Sequence, residues 1–190
     1  MRFSSGRIFL AMIFAPVIFS AFAQTTGIDA ALLAKANAGD AGAQVQVGEA
    51  YAAGAQVGRN LNLAAEWYRK AAAKNDISAE MHLAVLYRDG GKGFARDMAQ
   101  AAEWYRKAAE QGDVMAQGTL GILYSLGQGV AHDDVEAYYW LDLAAAVAGP
   151  RQEQFAANRQ SVGAHITTSE LEEIEERVAA WKAAHPRRAQ

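Results

Sequence analysis

The nine residues AAEWYRKAA at positions 64–72 return unchanged at 101–109, and a diverged copy, AYYWLDLAA, occupies 137–145. Trp67, Trp104 and Trp140 fall in register, at steps of 37 and 36 residues. Self-similarity at a fixed period of this size marks stacked repeats, each a supersecondary unit that buries its apolar face only against its neighbours. A second block keeps the same phase. Ala43, Ala79 and Ala116 are each followed four residues later by Val47, Leu83 or Leu120, then by Gly48, Ala84 or Gly121, and finally by Tyr51, Tyr87 or Tyr124. The spacing i, i+4, i+5, i+8 is one face of a helix. Each repeat therefore holds two helices, the first ending near its tyrosine and the second centred on its tryptophan.

Working outward, glycine-bearing loops separate the two helices of a unit: Gly54 to Gly58, Gly90-Gly91-Lys92-Gly93 and Gly127-Gln128-Gly129. Glycine just past a helix end supplies the left-handed conformation that stops it. GGKG is not a phosphate cradle, because GxxxxGK[ST] is incomplete and the loop follows a helix rather than a strand. At the junctions between units stand Gly39-Asp40, Asn75-Asp76 and Gly112-Asp113. There Gly or Asn ends one helix and the acid caps the next.

These blocks resemble the SEL-one-like repeat (SLR) family, a relative of the tetratricopeptide repeat. The resemblance rests on AAEWYRKAAEQGD from Ala101 to Asp113, on A-Q-x-x-L-G-x-L-Y from Ala116 to Tyr124, and on G-x-G-V from Gly127 to Val130. A tetratricopeptide array would repeat every 34 residues, which this one does not. Two departures are visible: Gln56-Val57-Gly58 stands where G-x-G-V is expected, and Leu141 replaces the second aromatic of the third copy. The resemblance implies an all-α, right-handed superhelical solenoid of antiparallel helix pairs, with about three full repeats, at 40–75, 76–112 and 113–149, and caps at both ends.

Residues 24–39 read as an N-terminal capping helix, the second half of a missing unit. Residues 150–190 read as C-terminal capping helices and a tail. One candidate helix spans Gln152 to Gly163, with Phe155, Asn158 and Val162 along one side. Another runs to about Ala184, capped by Thr168 or Ser169, with Leu171, Ile174, Val178 and Trp181 forming its apolar stripe. Glu170, Glu172, Glu173, Glu175 and Glu176 crowd its start, where the helix dipole favours acid.

Residues 1–23 combine basic Arg2 and Arg7, an apolar run from Ile8 to Phe19, and small residues at Ala21 and Ala23. That pattern is a secretory signal peptide cleaved after Ala23, and the run is short of the roughly 20 residues needed to span a bilayer. The expected product is a soluble, periplasmic or secreted chain with no membrane span. Its formal net charge is then −5, against −3 for the whole sequence.

Several function classes are set aside by composition and motif. The 190 residues contain no cysteine, which removes disulfides, thiolate catalysis and cysteine metal sites. No dense basic surface is present, so nucleic acid is not an expected partner. His82, His132, His165 and His185 form no metal-binding spacing, and no serine sits in a G-x-S-x-G turn. No cofactor is expected. The expected role is therefore not enzymatic, although Asp89, Asp97, Asp133 and Asp134 remain the acids on which a cell-wall-directed enzyme would rely.

Residues repeated in every unit, such as Trp67, Trp104, Tyr68 and Tyr105, read as packing. Positions that repeat in place but vary in identity read as recognition. By the resemblance, first helices line the concave surface, so Met81, Val85 and Ile122 form an apolar patch there beside Glu49, His82 and Arg88, unless Val85 and Ile122 simply broaden the core between helices. The leading expectation is a monomeric scaffold that binds a protein or peptide ligand on that patch. The alternatives are the cell-wall enzyme and a structural subunit of an envelope complex that docks through its acidic last helix.

Overall fold

The computed structural model describes residues 27–54, 57–147 and 149–186. The segment read as a signal peptide and the basic pair Arg187-Arg188 lie outside the described residues. Within them nine helices succeed one another: α1 (Ala30–Asn37), α2 (Ala41–Ala53), α3 (Leu61–Ala72), α4 (Ile77–Asp89), α5 (Met98–Glu110), α6 (Val114–Leu126), α7 (Asp134–Ala145), α8 (Gln152–Gly163) and α9 (Thr168–Ala184). Gly91 and Phe94 form an isolated β-bridge inside one loop. The chain is an all-helical repeat solenoid in which α2–α3, α4–α5 and α6–α7 are the three hairpins. No helix among the described residues is long and apolar enough to cross a membrane.

The junction residues act as their chemistry dictates. Gly39, Asn75 and Gly112 take φ of 96°, 59° and 87°, the left-handed region that glycine enters freely and asparagine tolerates. The next residue, Asp40, Asp76 or Asp113, accepts a hydrogen bond from the backbone N–H of Ala43, Ala79 or Ala116 at 2.7, 2.9 and 2.8 Å. Second helices start the same way, with Asn60, Asp97 and Asp133 as caps. Each cap contributes about 1 kcal/mol.

Small residues set the spacing within a hairpin. Ala64, Ala65, Ala71, Ala101, Ala102 and Ala108 are fully buried, and a Cβ added at Gly48 would stand 2.5 Å from the Tyr68 ring. Successive units are joined by a repeated polar contact. Arg69 on α3 donates to the Tyr87 hydroxyl on α4 at 2.5 Å, and Arg106 on α5 donates to the Tyr124 hydroxyl on α6 at 2.7 Å. Beneath them, buried Gln44 and Gln117 donate side-chain amides to the carbonyls of Ala36 and Ala109 at 3.0 and 3.1 Å. At the same place in the middle unit stands Glu80, buried as well and accepting from Gln111 Nε2 at 2.7 Å. Burial pushes its carboxyl pKa up.

The end of the stack departs from the repeat. Helix α8 packs on α7 and reaches α6, where the Phe155 ring fills the space left by the missing side chain of Gly118. Helix α9 makes little contact with α8 and instead lies on α7, with Ile174 and Val178 in one cluster with Tyr139, Trp140 and Leu143. Arg177 donates to Glu136 at 2.6 Å and sits 4.3 Å above the Tyr139 ring. These contacts account for the third copy's divergence. Tyr139 and Leu143 meet α9 where the other copies carry Glu66 or Glu103 and Lys70 or Lys107, and Asp142, in place of Arg69 or Arg106, pairs with Arg159 of α8. The cap of α9 is Thr167, not Thr168 or Ser169. A capping box decides it, with Thr167 and Glu170 each bonding the other's backbone N–H.

Candidate functional site

At the seam between the first two units, α2, α3 and α4 bring together Glu49, Tyr68, His82 and Val85. His82 Nε2 lies 3.1 Å from Glu49 Oε1, and its ring is stacked on Tyr68 with centroids 4.7 Å apart and planes 10° from parallel. Burial, and then the nearby Glu49 charge, raises the Tyr68 pKa, so the phenol keeps its proton. Beside this stack opens a notch of about 180 Å³ whose walls include Ala52, Arg59, Leu61, Val85 and Leu86. Arg59 Nε donates to the Ala52 carbonyl at 3.0 Å. The notch thus joins apolar side chains to the His82 imidazole, the Asp89 carboxylate and the Arg59 guanidinium, with Glu49 reaching it only through His82.

The six residues expected to form a recognition patch divide. Glu49, His82 and Val85 are gathered at this seam. Arg88 turns to its neighbour, making a two-pronged bond to Asp89 at 2.7 and 3.0 Å, and also donates to the Tyr105 hydroxyl at 3.0 Å. That guanidinium holds the Asp89 carboxyl below its ordinary range. Met81 packs, half-buried, against the core of the second and third units. Ile122 packs beneath α8 in the cluster of Phe155 and Tyr138. Met81, Arg88 and Ile122 do not line the notch themselves, although Asp89, which Arg88 holds, does.

The repeated aromatics also divide. Tyr68 and Tyr105 are core residues, 3% and 1% exposed, whereas Trp67 and Trp104 are half-buried and carry the ammonium groups of Lys70 and Lys107 at 3.6 and 3.9 Å from their ring centres. Of the loop acids, Asp97 and Asp133 are occupied as helix caps, and Asp89 is held by Arg88.

Sequence reasoning passed over Arg59, which precedes the Asn60 cap in a loop that reads only as a turn. The four histidines form no metal-binding spacing in the sequence. The fold brings two of them to one acid: His132 Nε2 lies 3.3 Å from Asp134 Oδ1 and His165 Nδ1 lies 3.4 Å from Asp134 Oδ2. Only the position of His132 two residues before Asp134 hinted at this, since His165 arrives from beyond α8. Among the described residues no group of three or more histidine and acidic side chains is arranged to hold a metal ion.

The chain is similar to known repeat proteins. The Sel1 repeat family model matches residues 41–76, 77–113 and 114–146. A solved Sel1 repeat protein from Oxalobacter formigenes is 32% identical with a TM-score of 0.59, the match covering 68% of this chain and 95% of that one. A second structure, c5321, is a protective antigen present in uropathogenic Escherichia coli strains that displays an SLR fold. It is 28% identical with a TM-score of 0.55, the match covering 80% of this chain and 40% of that one, so the chain spans less than half of its length. No curated protein matches the chain.

Proposed function

The chain belongs to the Sel1 repeat family, whose fold typically serves as a protein–protein interaction scaffold and is generally non-enzymatic, and from that membership we propose that it is an exported, periplasmic scaffold binding a protein or peptide ligand across the seam of α2 and α4. One observation carries the reading. The Glu49–His82–Tyr68 stack borders an apolar notch large enough for one aliphatic side chain, with Arg59 on the rim. An apolar pocket flanked by a few convergent polar groups is the usual form of a recognition site. The stacked imidazole is held in place, so little side-chain entropy is lost when a ligand covers it.

The test is photocrosslinking in the native cell from a reactive residue at Val85, followed by capture with variants. Val85→Asp sets a charge in the notch, and His82→Ala removes the stacked ring. The expected result is one dominant crosslinked partner whose capture falls at least tenfold in both variants, a difference of about 1.4 kcal/mol or more. Capture that is indifferent to both substitutions ends the reading.

A further inference from the structure

A groove of about 630 Å³ runs along α8. Tyr138 of α7, Leu171 of α9 and, on α8, Glu153, Ala156, Ala157, Arg159 and Gln160 line it. Its position follows from the repeat. Helix α8 stands after α7 as α4 stands after α3 and α6 after α5, each packed on the preceding second helix. In each full unit the next helix then folds back against the flank of the first. After α8 it does not, because α9 crosses to α7. The flank of α8 that a hairpin partner would cover is left open, with Glu153, Ala157 and Gln160 exposed.

We propose that a second copy of this chain closes the groove, α8 lying antiparallel on α8 about a twofold axis between Ala156 and Ala157. Residues at i, i+3, i+4 and i+7 share one helix face, and about that axis Glu153 stands opposite Gln160 of the second copy, while Ala156 stands opposite Ala157. The amide of Gln160 donates to the carboxylate of Glu153 twice over, and the alanines let the axes approach to about 8 Å. The parallel arrangement sets Glu153 against Glu153 and is disfavoured. A twofold contact of this kind is self-complementary and stops at two copies. The pairing covers Tyr138 and Leu171 and gives α8 the neighbour that every other first helix has. It also replaces the monomer expected from the sequence.

The test is sedimentation equilibrium of the purified protein at about 0.15 M salt, where repulsion between the acid-rich α9 helices is screened. A monomer–dimer equilibrium in the micromolar range is expected for so small an interface. Ala157→Arg, at an exposed position where the circular dichroism spectrum should be unchanged, weakens the dimer more than tenfold. Gln160→Lys brings an ammonium opposite Glu153 on both sides of the axis and tightens it about three- to tenfold. A monomer throughout, a dimer that ignores both substitutions, or open-ended growth, as if α1 of the next copy filled the groove, would each overturn the proposal.

Discussion

Replacing Glu80 by glutamine should make the protein more stable, and the gain should depend on pH. In the first and third units the equivalent buried glutamines, Gln44 and Gln117, donate to the carbonyls of Ala36 and Ala109. A carboxylate at position 80 has no proton to give the corresponding carbonyl, that of Ala72, and it bears a charge in a site only 3% exposed. Glutamine supplies the missing donor and still accepts from Gln111 through its Oε1. One recovered neutral hydrogen bond contributes about 0.5–1.5 kcal/mol. The relief of burying a charge adds to this, and exchanging a charge-assisted bond from Gln111 for a neutral one takes part of it back. The net is about 1 kcal/mol at pH 7, which raises the thermal midpoint by about 2–4 °C for a chain of this size. The sign of the pH dependence follows from the raised pKa of Glu80 in the folded state. The folded protein holds the proton more tightly than the unfolded chain, so wild-type stability is favoured at low pH and declines as pH rises through the folded pKa. The advantage of Glu80→Gln should therefore be small at pH 4 and full at pH 7. Thermal melts followed by circular dichroism at both values decide it. A variant no more stable than wild type at pH 7, or a gain that does not shrink in acid, refutes the reasoning.

Other substitutions report on the same packing. Gly118→Ala drives a methyl group into the Phe155 ring and should cost about 1–3 kcal/mol in urea unfolding, while Phe155→Ala, emptying a fully buried site, should cost about 3–5 kcal/mol. Asp113→Ala removes the cap of α6 and should lower stability by about 1 kcal/mol in the same assay. Export is checked by mass spectrometry of protein recovered from a periplasmic fraction, which should begin at Gln24; an intact Met1 start in the cytoplasm would set that proposal aside.

What could be read from the sequence was what is local. The junctions Gly39-Asp40, Asn75-Asp76 and Gly112-Asp113 carry their chemistry within a few residues, so the hairpins and their boundaries followed from spacing and turn logic alone. The third copy looked merely diverged because its reasons lie elsewhere in the chain. Tyr139 and Leu143 make sense only once Ile174 and Val178 of α9 are seen against α7, and Asp142 only once Arg159 arrives. Ile122 reads equally as patch or as core for the same reason, since nothing near it in sequence announces that α8 will cover it. The cap of α9 is a different case. Thr167 with Glu170 three residues on is the spacing of a capping box, and the signal was there to be used. At the seam of α2 and α4, Glu49 and His82 stand out in the sequence because both vary at matched repeat positions, whereas Arg59 sits in a loop where the repeat offers no template.

The contacts between units also say where the array stops. Arg69 reaches Tyr87 and Arg106 reaches Tyr124, so the first two seams are interchangeable fittings: duplicating the second unit would recreate the joint it copied. At the third seam the sign is reversed. Asp142 offers a carboxylate and takes Arg159, a fitting that a further copy of the repeat, with tyrosine at that place, would leave without its cation. Growth of such a protein by internal duplication is thus open in its middle and closed at its end. The acid at Asp142 ends it together with Tyr139 and Leu143, which α9 covers.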